Sequence, residues 1–292
     1  MMLENRPYTS DRFEWRGGML GEYDVLDYGY LKLKRTWGSD EEIIETARMS
    51  TDKGFLGWDP GLCPTCQGMK YIPLDKKHYN GEMCHDCGGR GTIPGDAKLL
   101  RYLYEHKHST PFEFAGLTIE CQAPIMVYRE WRRHRTQGFS EMSARYVQMP
   151  NLHYVPSVRR IIESSKKSGN RQASGGGVLH VPGIASMTEI SHAEEIRTYI
   201  REEQQAVYKS YEAMLSYGVS KEIARLNTPV SRYSRMRATG NLRNWLAFLT
   251  LRMDPAAQFE IRQYAWCVAN VIERAFPRTW ELHFESMQSR LG

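Results

Sequence analysis

Between Arg129 and Arg145 the chain reads Arg-Glu-Trp-Arg-Arg-His-Arg-Thr-Gln-Gly-Phe-Ser-Glu-Met-Ser-Ala-Arg, with five arginines in one short segment. A solvated face would spread them among carboxylates. Guanidinium forks concentrated beside Ser, Gln and Gly suit a phosphate or pyrophosphate, which each fork can bind through two parallel N–H bonds. On residue types alone, a phosphorylated ligand and a basic surface patch both accommodate the pattern.

A second constellation is Cys63-Pro-Thr-Cys66-Gln-Gly and Cys84-His-Asp-Cys87-Gly-Gly, two C-x-x-C knuckles separated by 17 residues. Such a pair places four thiolates around one tetrahedral zinc, and the glycines that follow free backbone amides to bond the sulfurs. A closed site of this kind leaves no position for substrate, so the spacing reads as structural zinc stapling an insertion; catalytic zinc and a redox dithiol are the alternatives. The knuckles resemble the CxxCxGxG zinc repeats of the Hsp40 co-chaperones, within this segment alone. Cys121 and Cys267 fall at apolar-face positions and are expected in the core.

The elements that position these groups follow from periodicity. Val25, Leu26, Leu31 and Leu33 around Asp27-Tyr28-Gly29 predict two strands between Tyr23 and Arg35. Ser39 with Glu42 has the capping-box form and starts a helix running to Ser50, with Ile43, Ile44, Ala47 and Met49 inward. Residues 57–95 sustain neither period and read as an inserted zinc-knuckle minidomain in a domain made of 1–56 and 96–292. Ala97, Leu100, Leu103 and Tyr104 resume a helix that Pro111 halts, and 114–122 alternate as a half-buried strand.

Ile125 to His134 is predicted helical, with three arginines in its last two turns and Arg135 just beyond. Ser164 to Gly177 is polar and Gly-rich and reads as a mobile surface loop. Ile196, Ile200, Val207, Tyr211 and Met214 mark a long amphipathic helix ending at Gly218, and two more helices are expected over 242–251 and 256–276.

Composition agrees with an enzyme-sized globular chain: 292 residues, 41% hydrophobic, 25% charged, with no apolar run of membrane-spanning length. The start lacks the apolar core of a signal peptide, so a cytoplasmic protein is expected, without a membrane partner. The net charge of +5 is too mild for a nucleic-acid coat, and nucleic acid is not the expected partner.

Arg133-His134-Arg135, seven residues, then Ser143-Ala-Arg145-Tyr146 resembles the RHR-x7-S signature and Ser-x-Arg-Tyr continuation of the flavin-dependent thymidylate synthases. Ala47-Arg48-Met49-Ser50 is similar to that family's Ala-Arg-x-Ser, and His108-Ser-Thr110-Pro111-Phe112-Glu113 to its His-x-Thr-Pro-Phe-Glu. Glu222-Ile-Ala-Arg225 with Pro229, Asn241-Leu-Arg243 and Leu251-Arg252-Met-Asp254 continue in family order. The likeness runs from about Tyr23 to the C-terminus, apart from the knuckles and the Gly-rich loop.

The resemblance implies an α+β fold with a central antiparallel sheet and long helices, assembled as a homotetramer whose sites lie between subunits. It implies an enzyme that converts dUMP to dTMP, with methylenetetrahydrofolate as carbon donor and NADPH reducing a bound FAD. Carried over, Arg133, His134 and Arg135 would contact FAD, with Ser50, Thr110, Glu113, Glu141, Asn241 and Arg243 completing its setting. The nucleotide would be held by Glu130, Arg133, Ser143, Arg145, Arg225 and Arg252. Arg252, Ser143 and His108 would stand nearest the chemistry: Arg252 stabilising charge on the pyrimidine, His108 beside flavin and folate, and Ser143 binding rather than attacking, since no relay adjoins it in sequence.

Two positions depart from the family pattern. Ala247 stands where it usually has Asn or His, and Ala256 where it usually has His. Both truncations delete polar contacts, which keeps open a flavin- and folate-dependent C5 hydroxymethylase acting on dUMP or dCMP. The same alanines, with the knuckles and the charge, keep open a non-catalytic nucleotide- or nucleic-acid-binding zinc protein.

Overall fold

The computed structural model describes residues 21–73, 81–167, 169, 175–177, 179 and 188–291. In chain order it contains β1 (Glu22–Val25), β2 (Gly29–Trp37), α1 (Asp40–Arg48), β3 (Gly61–Leu62), β4 (Tyr71–Pro73), β5 (Gly81–Met83), β6 (Thr92–Ile93) and α2 (Ala97–Glu105). There follow β7 (Gly116–Pro124), α3 (Ile125–Trp131), β8 (Gly138–Glu141), α4 (Val158–Ser165), α5 (Glu189–Ser216), α6 (Lys221–Ala224) and β9 (Tyr233–Asn241). Three helices close the chain: α7 (Leu242–Arg252), α8 (Phe259–Ala275) and α9 (Pro277–Leu291). The class is α+β, and among the described residues no helix is long and apolar enough to cross a membrane.

The described chain divides into two compact units. The first takes the residues up to Lys34, Thr118–Thr239 and Phe248–Val268. Its framework is a five-stranded sheet in the order β1-β2-β7-β9-β8, with β1 antiparallel to β2 and β8 antiparallel to β9. The alternation of β7 is obeyed: Ile119 and Cys121 are fully buried, while Thr118, Glu120 and Gln122 are half-buried on the other face. Burial pushes the Cys121 thiol up to about 12, as fits an inert core cysteine. Below the sheet the indole of Trp131 stacks on Phe248 at 4.8 Å, and Tyr128 Oη donates to the carbonyls of Cys121 and Ser234 at 2.9 and 2.7 Å. These large, fully buried rings carry the apolar burial that holds this unit together.

The second unit takes Arg35–Leu117, Gly240–Ala247 and the residues from Ala269 onward. Ser39 caps α1 as its sequence predicts, accepting from Glu42 N at 3.2 Å, and Ile43 and Ile44 are fully buried. Asp40, 3% exposed, accepts from Arg278 N (2.8 Å), Thr279 N (3.2 Å) and Thr279 Oγ1 (2.6 Å), so it caps the start of α9 from across the unit.

Several expectations are corrected. The first helix ends at Arg48 and tightens into a 3-10 turn over Met49–Thr51, which swings Met49 out to 76% exposure rather than inward. The left-handed Lys107 (φ 57°) follows the end of α2, and Pro111 instead opens a 3-10 turn over Thr110–Glu113. Helix α3 stops at Trp131, so most of the arginine run lies beyond it in turns. Of the five apolar residues expected to face inward on α5, Tyr211 is buried and the other four are half-buried. The elements β8, α4, α6, β9 and α9 had no counterpart in the sequence reading. Residues 168 and 170–174 of the Gly-rich loop lie outside the described residues.

Candidate functional site

Because α3 ends at Trp131, the Arg133-His134-Arg135 triplet sits on consecutive turns, with His134 N donating to Trp131 O at 3.0 Å and Gln137 N to His134 O at 3.2 Å. These turns project side chains in several directions instead of along one helix face. Arg252, the last residue of α7, reaches this point: Nε donates to His134 Nε2 (2.9 Å), Nη1 to Glu130 Oε2 (2.9 Å) and Nη2 to the Glu130 carbonyl (2.9 Å). Arg133 Nε stands 3.5 Å from Glu130 Oε1. Four predicted site residues, Glu130, Arg133, His134 and Arg252, thus converge in the first unit.

Burial first, and then the Arg252 charge, lowers the His134 imidazole to about 4 against the opposing pull of Glu130. At neutral pH the ring is uncharged and accepts at Nε2, which places its proton on Nδ1, pointing away from Arg252. The edge of the ring meets Phe248 at 4.9 Å, fixing its plane.

Glu141 ends β8 and binds Arg132 Nη2 at 2.6 Å. Just beyond, Ser143 Oγ accepts from Arg145 N at 3.3 Å, and the Ser143 carbonyl accepts from Tyr146 N and Val147 N at 3.1 Å each. The turn holds Arg145 outward, where its Nε lies 3.2 Å from Glu222 Oε1 in an exposed pair. Among the described residues no histidine or carboxylate bonds to Ser143 Oγ, in keeping with a binding rather than nucleophilic serine. Arg225 forms no ion pair among the described residues.

In the second unit Arg243 Nη1 donates to Glu113 Oε1 at 2.8 Å, which brings together two predicted cofactor residues from the Thr110–Glu113 turn and the first turn of α7. Asn241 Oδ1 accepts from Asn244 N at 3.0 Å, acting at the start of α7. Ser50 Oγ lies 3.5 Å from the Ala47 carbonyl, and Thr110 is exposed. The His108 ring stands 5.5 Å from Tyr102, at the end of a file in which Tyr102 stacks on His106 at 4.1 Å. Ala247 and Ala256 are exposed.

The four knuckle cysteines are fully buried and all their sulfurs lie within 4.8 Å of one another. The Cys63–Cys84 and Cys66–Cys87 separations are 3.8 and 3.7 Å. Four sulfurs at about 2.3 Å from one zinc are about 3.8 Å apart in a tetrahedron, so the spacing fits the metal. Gly91 N donates to Cys87 Sγ at 3.2 Å, and a Cβ at this left-handed position (φ 79°) would lie 2.7 Å from Gly68 O. The four ligands ride on two small antiparallel ladders, β3 with β6 and β4 with β5.

An arginine that no motif singled out belongs beside the signature: Arg132, the partner of Glu141. It adjoins the signature and was within reach of sequence reasoning.

An α+β frame whose turns gather guanidiniums beside Glu130, Glu141 and a neutral histidine has the donors to hold anionic ligands. Residues 32–278 match the family model described as thymidylate synthase complementing protein. The chain is 32% identical over 256 residues to a flavin-dependent thymidylate synthase of Thermus thermophilus, covering 88% of this chain and 76% of that one. It is 31% identical over 271 residues to that of Anaplasma marginale, covering 91% and 76%. A crystal structure of a UMP/dUMP methylase from Streptomyces cacaoi bound with 5-Br dUMP superposes with a TM-score of 0.64 at 28% identity, covering 90% of this chain and 97% of that chain. The chain belongs to the flavin-dependent thymidylate synthase family, and with it to the methyl-transferring enzymes.

Proposed function

We propose that the protein methylates C5 of dUMP to give dTMP, with methylenetetrahydrofolate as carbon donor and an FAD that NADPH reduces beforehand. The observation that carries this reading is the Arg252 guanidinium, bound at once to Glu130 and His134 beside the arginine signature. The donor set suits both anionic partners: Arg133 and Arg135 are exposed forks for a pyrophosphate, and the exposed Arg145 with the half-buried Arg225 suits a monophosphate.

Roles follow from position. Glu130, Arg133, Ser143, Arg145, Arg225 and Arg252 bind the nucleotide, and Arg252 stabilises negative charge developing on the pyrimidine. Glu130 orients Arg252 through two contacts, and the neutral His134 withholds a competing positive charge. Arg133, His134, Arg135 and Glu141 of the first unit, and Ser50, Thr110, Glu113, Asn241 and Arg243 of the second, hold FAD, each set completed by neighbouring subunits of a homotetramer. His108 lines the folate side. When bound, the flavin supplies the hydride.

Residues 57–95 form a zinc-stapled minidomain whose metal is structural, a reading that four buried thiolates within 4.8 Å of one another support. A second substrate reading has one specific support: the structural neighbour is named a methylase of UMP as well as dUMP, so UMP belongs beside dUMP and dCMP in any assay.

The test is an anaerobic flavin titration. NADPH is expected to bleach the flavin band, and methylenetetrahydrofolate together with dUMP to restore it. Protein that binds no flavin, or reduced flavin that stays reduced with both substrates present, would overturn the proposal.

A further inference from the structure

Ser50 stands on a loop whose shape is set from outside it. Helix α1 ends at Arg48, the chain tightens through Met49–Thr51, and the left-handed Asp52 (φ 53°) turns it back, with Asp52 N donating to Met49 O at 3.3 Å. Arg48 closes this loop twice. Its carbonyl accepts from Thr51 Oγ1 (3.0 Å) and Lys53 N (3.3 Å), and its Nη1 donates to Gly54 O at 2.9 Å. Ser50 is exposed at the bend, and its hydroxyl approaches Ala47 O at 3.5 Å, the outer limit of a hydrogen bond, which leaves it available to a ligand.

The Arg48 guanidinium is itself held by Asp96, a residue that no motif singles out. Asp96 occupies the N-cap position of α2, where an aspartate ordinarily accepts from the first amides of its own helix, but its side chain makes no such bond. Both carboxylate oxygens are turned elsewhere: Oδ1 accepts from Arg48 Nη2, and Oδ2 from Leu56 N at 2.8 Å. The pair is enclosed, with the Asp96 side chain 1% and the Arg48 side chain 14% exposed. Enclosure makes such a charge-assisted pair a firm constraint, because losing one partner strands the charge of the other. The loop meets the knuckle through Lys53 Nζ, which donates to the Asp86 carbonyl at 3.2 Å. Asp96 lies past the second knuckle, so its bond to Arg48 does not pass through the cysteines.

We propose that Asp96 is a positioning residue for the cofactor: acting through Arg48, it holds the 49–54 loop in the shape that presents Ser50 to FAD. The proposal rests on the FAD reading of Ser50 above. It gives the loop an anchor that is independent of the metal.

The test is equilibrium dissociation of FAD from the flavin-loaded, full-length protein on dilution, for wild type, Ser50→Ala, Asp96→Asn, the double variant and Asp40→Ala, with zinc content and melting temperature read on each. Ser50→Ala and Asp96→Asn are each expected to weaken FAD about five- to tenfold, as loss of one hydrogen bond does, with zinc retained. The double variant should be no weaker than Ser50→Ala, since both changes act on one contact. Asp40→Ala destabilises the same unit at the start of α9 and should lower the melting temperature with FAD affinity unchanged, which separates positioning from lost stability. If Asp96→Asn does not fold, Arg48→Lys carries the same prediction, because an ammonium keeps the charge but lacks the fork that spans Gly54 O and Asp96. Weakened FAD in Ser50→Ala with wild-type affinity in Asp96→Asn overturns the proposal and leaves the FAD reading standing. So do losses that multiply in the double variant, an equal loss in Asp40→Ala, or zinc lost from Asp96→Asn together with FAD. Unchanged affinity in Ser50→Ala would remove Ser50 from the cofactor's setting and the proposal with it, and a wild type that binds no FAD would remove the reading itself.

Discussion

The arginine-bearing unit and the cysteine knuckle are held by different physics. Around the Arg133-His134-Arg135 turns, Trp131, Tyr128, Phe248 and Tyr264 are fully buried and interlock, and the polar network of Arg252 rests on that apolar floor. The knuckle's buried cluster consists of the four cysteines and Ile93, with Leu56 packed against it. Apolar floor is what a segment of about 40 residues lacks when it folds around a metal. A region with a core can carry exposed guanidiniums at its surface; a region without one spends its best ligands on holding itself together and has none left for chemistry.

The contrast is broken most forcefully by removing metal. Chelation, or Cys63→Ser, should unfold the knuckle, a structural zinc site contributing on the order of 10 kcal/mol, while the flavin spectrum stays mostly intact. Zinc content and limited proteolysis check this, and simultaneous flavin loss would show that the two regions are one. The reciprocal change is Trp131→Ala, which should cost about 3–5 kcal/mol in the first unit and leave zinc stoichiometry unaltered, read by denaturant melts with metal analysis. Asp40→Ala strips the start of α9 of its cap and should cost about 1–3 kcal/mol in thermal unfolding.

Smaller effects sharpen the comparison within the site. Arg145→Ala should weaken dUMP roughly tenfold with FAD retained, and the melting temperature should barely move, because its pair with Glu222 is exposed. The gentlest is a pH effect. The folded His134 titrates near 4, below its unfolded value of about 6.5, so the unfolded chain binds more protons between those values. The stability this group contributes is present above about pH 6.5 and is lost as pH falls toward 4. Melting temperature against pH for His134→Asn should be flatter than wild type in that window.

Much of this was legible in the sequence. Strands β1, β2 and β7 and helices α1, α2, α7 and α8 follow from local period and capping, and the four cysteines and the arginine signature announce themselves by spacing. What escaped was set by distance along the chain. Helix α9 begins at Pro277, which reads as a stop, but its cap is Asp40, 238 residues away in sequence. Strand β8 has no buried position at all and exists because β9 pairs with it. The half-buried face of α5 kept its period and lost its burial.

The most direct test of the account is the mass of the product. Flavin-loaded protein with NADPH, methylenetetrahydrofolate and dUMP, UMP or dCMP should yield dUMP heavier by one methyl substitution. A hydroxymethyl product, or unchanged nucleotides over a flavin that NADPH still reduces, would contradict it.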